Sequence, residues 1–492
     1  MTSRIQPPQT NAWARCVLHT IQGFEPTPLP VLAGAIPAGL RGSLYRNGPA
    51  RLERRGQRVA HWFDGDGAVL GVHFSQNGAT GVYRYVQTEG YLAEEEADRF
   101  LCWGYGMKPT GSWIERFTRD VKNAANTSVL ALPDRVLALW EGGPPHALTL
   151  DTLDTLGIDQ LQGLHGSSYS AHPKRDPFTG EIFNFGVSPG RNATLHVYRS
   201  DFTGKIQRKE AIALQGVPLI HDFVLAGKYL IFCIPPVRLS PLPVLVRLKS
   251  YSDGLEWHPE LGTRILITDR DTLEVVNSIE ADPWYQWHFA NGCELPDGSV
   301  FVSLVHYADF QTNQNLKEVA SGQIKTPGKG TLWELRLDAV SGKVLEMTKV
   351  LNRGCEFPTV NSQEVGRAWR YSYLSVRHRD KVDDENDLFG AIARFDHQTG
   401  LFTETNIDNH FYPSEPIYVA DTDNPNQGWL LTVVYDAKQD RSEVWIYDSN
   451  HLEGRPFCRL GLPEVIPLSF HGTWKPEDRP NKVMMSGTSR HH

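Results

Sequence analysis

The sequence predicts an all-β fold, a seven-bladed β-propeller with a loop and helix cap over one face. Three observations predict it. Five segments repeat a β-run, an acidic turn and a second β-run: Asp201-Phe202-Thr203-Gly204, Asp269-Arg270-Asp271-Thr272, Asp338-Ala339-Val340-Ser341-Gly342, Asp396-His397-Gln398-Thr399-Gly400 and Asp448-Ser449-Asn450-His451. A weaker copy runs from Asp151 to Gly157. The copies lie roughly 50 to 70 residues apart, the length of a four-stranded blade with long loops. Roughly 14 to 20 residues after each turn comes a histidine or glutamate: His172, His221, His288, Glu356, Glu415 or His471. Equal phase in a repeat means equal position in a blade, and the first strand of a blade lines the central channel. Glu141, at the end of the apolar run Arg135–Glu141, makes a seventh such position.

Composition supports one large β unit spanning residues 1–492. Gly 43 and Pro 32 are spread along the chain, as many turns require, and no low-complexity tract or charge block marks a linker. A net charge of -8 with 22% charged residues argues against a nucleic-acid partner and suits a soluble protein. No obligate protein partner is evident. The six cysteines lack CxxC spacing, which argues against a zinc ribbon or disulfide framework and fits a reducing cytoplasm. Residues 1–20 carry no apolar core of a secretory signal. Nowhere do roughly 18 apolar residues run together, so no transmembrane helix is expected.

In chain order, residues 1 to about 40 read as an irregular, Pro-rich segment. Leu44-Tyr45-Arg46-Asn47-Gly48-Pro49 reads as a strand ending in a turn. In Phe63-Asp64-Gly65-Asp66-Gly67 the Asp-Gly pairs mark a sharp turn into the strand Ala68–Phe74. Residues from about 92 to 126 are the least β-like. Ala93–Arg99 and Trp113–Ala125 each read as a short helix, making this a partly helical cap insertion. Asn126-Thr127-Ser128-Val129 opens the next strand. His172 precedes Pro173, which favours extended backbone. His221, His288 and His471 lie in β-runs. Residues 232–248, with Ile234-Pro235-Pro236 and Leu242-Pro243-Val244-Leu245, are apolar, Pro-broken and flanked by Arg238, Arg247 and Lys249. The stretch is either a buried loop or a patch dipping into one membrane leaflet.

Four histidines far apart in sequence meet only if the fold converges them. Imidazole suits iron, copper, nickel and zinc, and structural zinc would usually bring cysteine or closely spaced histidines. Four imidazoles around an octahedral ion leave two positions open. Glutamates can then accept the outer N–H of three of the rings, fixing their tautomer. His61, His146, His165, His306 and His378 are secondary pocket candidates.

These residues sit in motifs that together resemble the carotenoid cleavage oxygenases, and within them the apocarotenoid-cleaving, retinal-forming enzymes of cyanobacterial type. The motifs include Leu44–Pro49, Phe63–Gly67, Ala125-Asn126-Thr127, Leu139–Gly143, Ser170–Pro173, Ile220–Phe223, His288–Asn291, Cys355–Pro358, Ser414-Glu415-Pro416 and Phe470–Trp474. The resemblance covers nearly the whole chain. It implies the propeller with its cap over the metal-bearing face. It implies Fe(II) held by His172, His221, His288 and His471, with Glu141, Glu356 and Glu415 orienting three of them. Thr127 matches the position that crowds an open coordination site, and Phe63, Trp140 and Phe357 match positions lining a substrate tunnel. The apolar loop around Leu239 to Leu248 corresponds to a membrane-dipping patch, making peripheral membrane contact through residues 232–248 part of the expectation. The implied reaction is O2-dependent cleavage of a conjugated C=C in apocarotenals or apocarotenols, at the 15,15' bond, giving retinal and a second aldehyde. The alternatives are cleavage of a phenolic stilbene, an isomerohydrolase that consumes no O2, and a non-catalytic propeller that binds apolar ligands.

Overall fold

The computed structural model describes residues 11–109, 111–382 and 384–477. Seven antiparallel blades surround one axis. From axis to rim, blade 2 runs Ser128–Ala131, Val136–Leu139, His146–Leu148, Thr155–Ile158. Blade 3 runs Lys174–Arg175, Ile182–Ser188, Thr194–Ser200, Ile206–Ala213. Blade 4 runs Val224–Ala226, Tyr229–Ile234, Thr263–Asp269, Val275–Ala281, and blade 5 runs Phe289–Glu294, Val300–His306, Thr331–Asp338, Lys343–Leu351. Blade 6 runs Cys355–Thr359, Tyr371–Val376, Ala391–Asp396, Phe402–Glu404. In blade 7 the inner strand is two pieces, Phe411–Pro413 and Ile417–Ala420, against Gly428–Asp436, with Arg441–Asp448 and Cys458–Gly461 outside it. Blade 1 closes the ring. Its inner strand Gly472–Pro476 comes from the far end of the chain and pairs with Gly42–Arg51, with Asp66–Ser75 and Gly78–Tyr85 outside it.

Every acidic repeat found in the sequence is the turn between the two outer strands of a blade. The aspartate makes the turn by accepting backbone N–H groups two or three residues on. Asp201 accepts from Thr203 (2.9 Å), Asp269 from Thr272 (2.8 Å), Asp338 from Ser341 (2.9 Å), Asp396 from Gln398 (2.9 Å) and Asp448 from Asn450 (2.8 Å). Gly204, Gly342 and Gly400 take the left-handed backbone that closes three of these turns.

Adjacent blades share a core, which is why the second strands of blades 2 and 4 read as continuous apolar runs rather than alternating ones. Leu137 and Leu139 face blade 3 while Val136 and Ala138 face blade 1. Leu230 and Phe232 pack against Phe183 and Phe185 of blade 3, and Ile231 and Cys233 against Val300 and Leu335 of blade 5. A strand buried on both faces keeps no polar stripe.

The structure corrects three expectations. The irregular N-terminal segment contains a short helix, Ala14–Leu18, and two strands that add rims to blades: Phe24–Pro28 pairs with Gly78–Tyr85, and Val31–Gly34 with Cys458–Gly461. Proline is tolerated there because an edge strand leaves one row of N–H groups unused. The cap helices are Glu89–Ala97, capped by Thr88, and Trp113–Thr118, capped by Ser112, so the first starts earlier and the second stops sooner than expected. Residues 232–248 divide: Tyr229–Ile234 is the buried second strand of blade 4, and the exposed part is the helix Pro241–Leu245 with residues 246–248. The Asp-Gly turn at 64–67 needs no positive φ at Gly65. Gly67 instead allows a close approach, since a Cβ there would sit 2.1 Å from the Ala125 carbonyl oxygen.

The cap is fastened by buried charge. Lys122 Nζ donates to Asp66 (2.7 Å) and Glu94 (2.8 Å), and Arg54 pairs with Asp66 (2.9 Å). Glu94 also accepts the backbone N–H groups of Leu101 and Cys102. One lysine thus ties blade 1 to the first cap helix.

Candidate metal centre

Each inner strand begins at the same end of the axis, and the residue just before or at its start points to the centre. For blades 3, 4, 5 and 1 that residue is His172, His221, His288 and His471. Their ligand nitrogens all lie within 4.8 Å of one another, and all four rings are buried. For blades 6 and 7 it is Glu356 and Glu415. For blade 2 it is Thr127, not Glu141. Glu141 follows the second strand of blade 2 and reaches the centre from the loop before His146–Leu148. The glutamate that the sequence suggests as the seventh position thus follows a second strand, in a different phase from the other six. Thr127 holds the seventh position and accepts a backbone hydrogen bond from His471 at 3.3 Å.

Three of the four rings are held by carboxylates. His288 Nδ1 meets Glu356 at 2.5 Å, His471 Nδ1 meets Glu415 at 2.8 Å, and His221 Nδ1 pairs with Glu141. None of the three glutamates pairs with His172. Glu356 also accepts from the Tyr307 hydroxyl (3.0 Å) and the Phe357 N–H (2.5 Å). Phe357 itself adopts a left-handed backbone, φ 52°, strained for a bulky residue. Glu415 accepts the Gly472 N–H (2.8 Å) and faces Arg46, a buried guanidinium that also donates to the carbonyls of Glu415 and Phe470.

These contacts set the electrostatics. Burial pushes Glu356 up to about 7. Burial acts the same way on Glu415, but the adjacent His471 and Arg46 outweigh it and hold the carboxyl below its ordinary value. His172 and His288 lie far below the usual imidazole range because they are buried and face the other imidazoles. Those two rings are thus neutral. With Nδ1–H given to Glu356, His288 carries a bare Nε2 lone pair. It faces His221 Nε2 at 3.2 Å, and His172 Nε2 lies 3.0 Å from His221 Nε2. Converging lone pairs repel unless a cation sits between them. The donor set therefore fits a divalent transition metal.

Two cavities reach the cluster. One, about 410 Å³, is walled by aromatic rings and touches His221, His288 and His471. Phe63, Trp140 and Phe357 line it, with Thr127, Trp287 and Tyr251. Phe357 stacks on His288 at 5.5 Å, and Trp287 meets the edge of His221 at 4.7 Å. The other, about 600 Å³, is the polar axial channel bounded by the inner strands of all seven blades. There Lys174 pairs with the buried Asp222 at 2.8 Å.

His61, His146, His165, His306 and His378 line neither cavity. His61 sits one layer back, against Phe63 and Tyr105, and His165 is exposed. Sequence reasoning missed Arg46, Tyr307 and Trp287. Arg46 left a signal: a lone charge inside an apolar strand is buried and paired more often than not.

Residues 19–476 match the family described as retinal pigment epithelial membrane protein, RPE65. The chain is 33% identical over 454 residues to the apocarotenoid-15,15'-oxygenase of Synechocystis sp., covering 90% of this chain and 91% of that one. It is 26% identical over 471 residues to resveratrol cleavage oxygenase 1 of Aspergillus fumigatus, covering 90% and 91%. The crystal structure of cobalt-substituted Synechocystis ACO superposes with a TM-score of 0.85 at 32% identity, over 94% of this chain and 98% of that one. Agreement across nearly the full length, in sequence and in blade architecture, means that this chain belongs to the RPE65/carotenoid cleavage oxygenase family.

Proposed function

We propose that this protein is a non-haem Fe(II) dioxygenase that cleaves apocarotenals or apocarotenols at the 15,15' bond, giving retinal and a second aldehyde. The observation that carries the proposal is an aromatic-walled cavity ending on the four-histidine cluster. The 33% identity to an apocarotenoid-15,15'-oxygenase supports the bond assignment. His172, His221, His288 and His471 hold the iron, which when bound supplies O2 activation. Glu141, Glu356 and Glu415 keep Nδ1 protonated on three rings and so aim Nε2 inward. Thr127 crowds the remaining space on the cavity side. Phe63, Trp140 and Phe357 hold a flat conjugated chain and exclude water from it. The balance is one alkene plus one O2 to two carbonyls, so no protein acid or base is required. Which double bond reacts depends on how far the chain slides in.

The test is aerobic incubation of Fe(II)-loaded protein with β-apo-8'-carotenal, with products identified by chromatography and mass. Retinal with a shorter dialdehyde is expected. Products of another bond would overturn the 15,15' assignment, and no products from iron-loaded protein would overturn the polyene substrate. A second reading, cleavage of a phenolic stilbene, is favoured by Tyr251 and Lys249, which both line the cavity and could bind a phenol. A hydroxylated stilbene in the same assay separates the two.

The cavity opens beside an exposed apolar loop, which we read as a peripheral membrane contact. Val244 and Arg247 line the cavity, while Leu242, Leu245 and Leu248 are 69%, 71% and 72% exposed. Ile114 and Phe117 of the second cap helix are exposed too. Among the described residues no helix is long and apolar enough to cross a membrane. Burying a leucine gains roughly 1.5–3 kcal/mol. The triple substitution Leu242→Ser, Leu245→Ser and Leu248→Ser should therefore lower partitioning onto phosphatidylcholine vesicles by at least about 10-fold. Unchanged cosedimentation would remove the loop from membrane contact.

A further inference from the structure

Two polar groups in the wall of the aromatic cavity are buried without a hydrogen-bond partner. They are Arg377 Nη1 and Ser375 Oγ. Arg377 is 5% exposed and Ser375 1%. Both line the cavity. They lie two residues apart at the end of the strand Tyr371–Val376, so their side chains leave the same face of blade 6.

The remaining contacts of Arg377 fix it in place. Its Nη2 donates to the Glu385 carbonyl at 3.3 Å, and its guanidinium lies 5.3 Å from the centre of the Phe389 ring. The Phe389 ring is 6.2 Å from Phe357, and Phe357 is 5.3 Å from His471. Arg377 is therefore reached from the metal centre by passing Phe357 and then Phe389. It lies on blade 6, while the apolar loop at the mouth belongs to blade 4. Asp387 also lines this end of the cavity, accepts from Lys381 and from the Leu388 N–H at 2.9 Å, and is the charge that acts most strongly on Arg377. Arg377 Nη1 nonetheless makes no hydrogen bond to it.

A desolvated N–H without an acceptor is costly, so one that borders a cavity is a place where a bound acceptor would be favoured. We propose that Arg377 Nη1 is a subsite for an oxygen at the terminus of the bound polyene, either a carbonyl or a hydroxyl. The aromatic walls hold the chain without regard to its position along the cavity. A single donor at one end sets that position, and with it the bond that lies at the metal. A site built around such a donor rejects the analogue lacking the oxygen far more strongly than an apolar wall discriminates length. The inference rests on the polyene substrate proposed above and adds what reads its end.

The experiment compares β-apo-8'-carotenal with the hydrocarbon of the same skeleton that ends in methyl, using iron-loaded protein. Wild type should favour the aldehyde in kcat/KM by at least about 10-fold. Arg377→Met should erase that preference by lowering the aldehyde value alone, and should release products from more than one bond. Arg377→Lys should recover part of the preference. A second readout is optical and needs no turnover. The aldehyde bound to metal-free wild type should absorb at longer wavelength than when bound to Arg377→Met, because a cationic donor on the carbonyl lowers the polyene transition energy. Equal loss for both substrates in Arg377→Met, or an unchanged preference, would overturn the subsite. So would a wild type that cleaves both substrates equally at one bond, although the dioxygenase reading would then stand. If neither substrate is cleaved, that reading falls, and an absent optical shift would bring down the subsite with it.

Discussion

His288→Ala is expected to abolish cleavage and to lower metal affinity by well over about 100-fold, more than loss of an orienting partner costs. Metal content after gel filtration and O2 uptake with substrate would check it. The effect on stability should change sign with the metal. In the metal-free protein His288 Nε2 faces His221 Nε2 at 3.2 Å, so removing one ring relieves lone-pair repulsion. Glu356, left without its partner, is already pushed up to about 7 and can take a proton. Metal-free His288→Ala should therefore melt no lower than metal-free wild type, while wild type with Fe(II) should melt well above the variant with Fe(II). A variant destabilised equally with and without metal would mean that His288 serves packing rather than ligation.

Lys122→Met should destabilise the protein by about 3–5 kcal/mol, the cost of breaking a buried ion pair from one side. The substitution leaves Asp66 with Arg54 but strands Glu94, whose other oxygen is held by two backbone N–H groups. Adding Glu94→Gln removes the stranded charge, so the double variant should recover a large part of the loss. Urea unfolding of the two single variants and the double would measure it. Val121, next in sequence, lines the aromatic cavity and bridges to Trp103, so Lys122→Met should also raise KM as the cap loosens. Additive effects would show that Lys122 and Glu94 do not act as a pair.

Much of this is legible in the sequence because propeller geometry repeats. An aspartate turn in six of the seven blades and one polar residue per inner strand recur at fixed phase, and a repeat makes weak local signals add. The errors have physical causes. Glu141 reads as a ring position because its chemistry matches, while Thr127, at the true seventh position, has a side chain unlike its six counterparts. Phe24–Pro28 is hidden because its prolines argue against a strand, although a rim position tolerates them. In residues 232–248 a buried strand and an exposed helix share one apolar composition, and only the ring of blades decides which part is covered. Arg377 and Ser375 give no signal, since an orphan hydrogen-bonding group is defined by what surrounds it.

Closure of blade 1 by Gly472–Pro476 has a consequence in time. His471 is made about 180 residues after His288. At typical translation rates of roughly 5–20 residues per second, the growing chain carries three of the histidines for roughly ten to forty seconds before the fourth exists. Three imidazoles are a zinc-binding set. The order of synthesis thus creates an interval in which zinc can be captured by three ligands, and the arrival of His471 decides whether it stays. Protein produced with excess zinc should carry more of it than the same protein folded first and exposed to zinc afterwards. Equal zinc in the two preparations would show that the ring closes before metal is taken up.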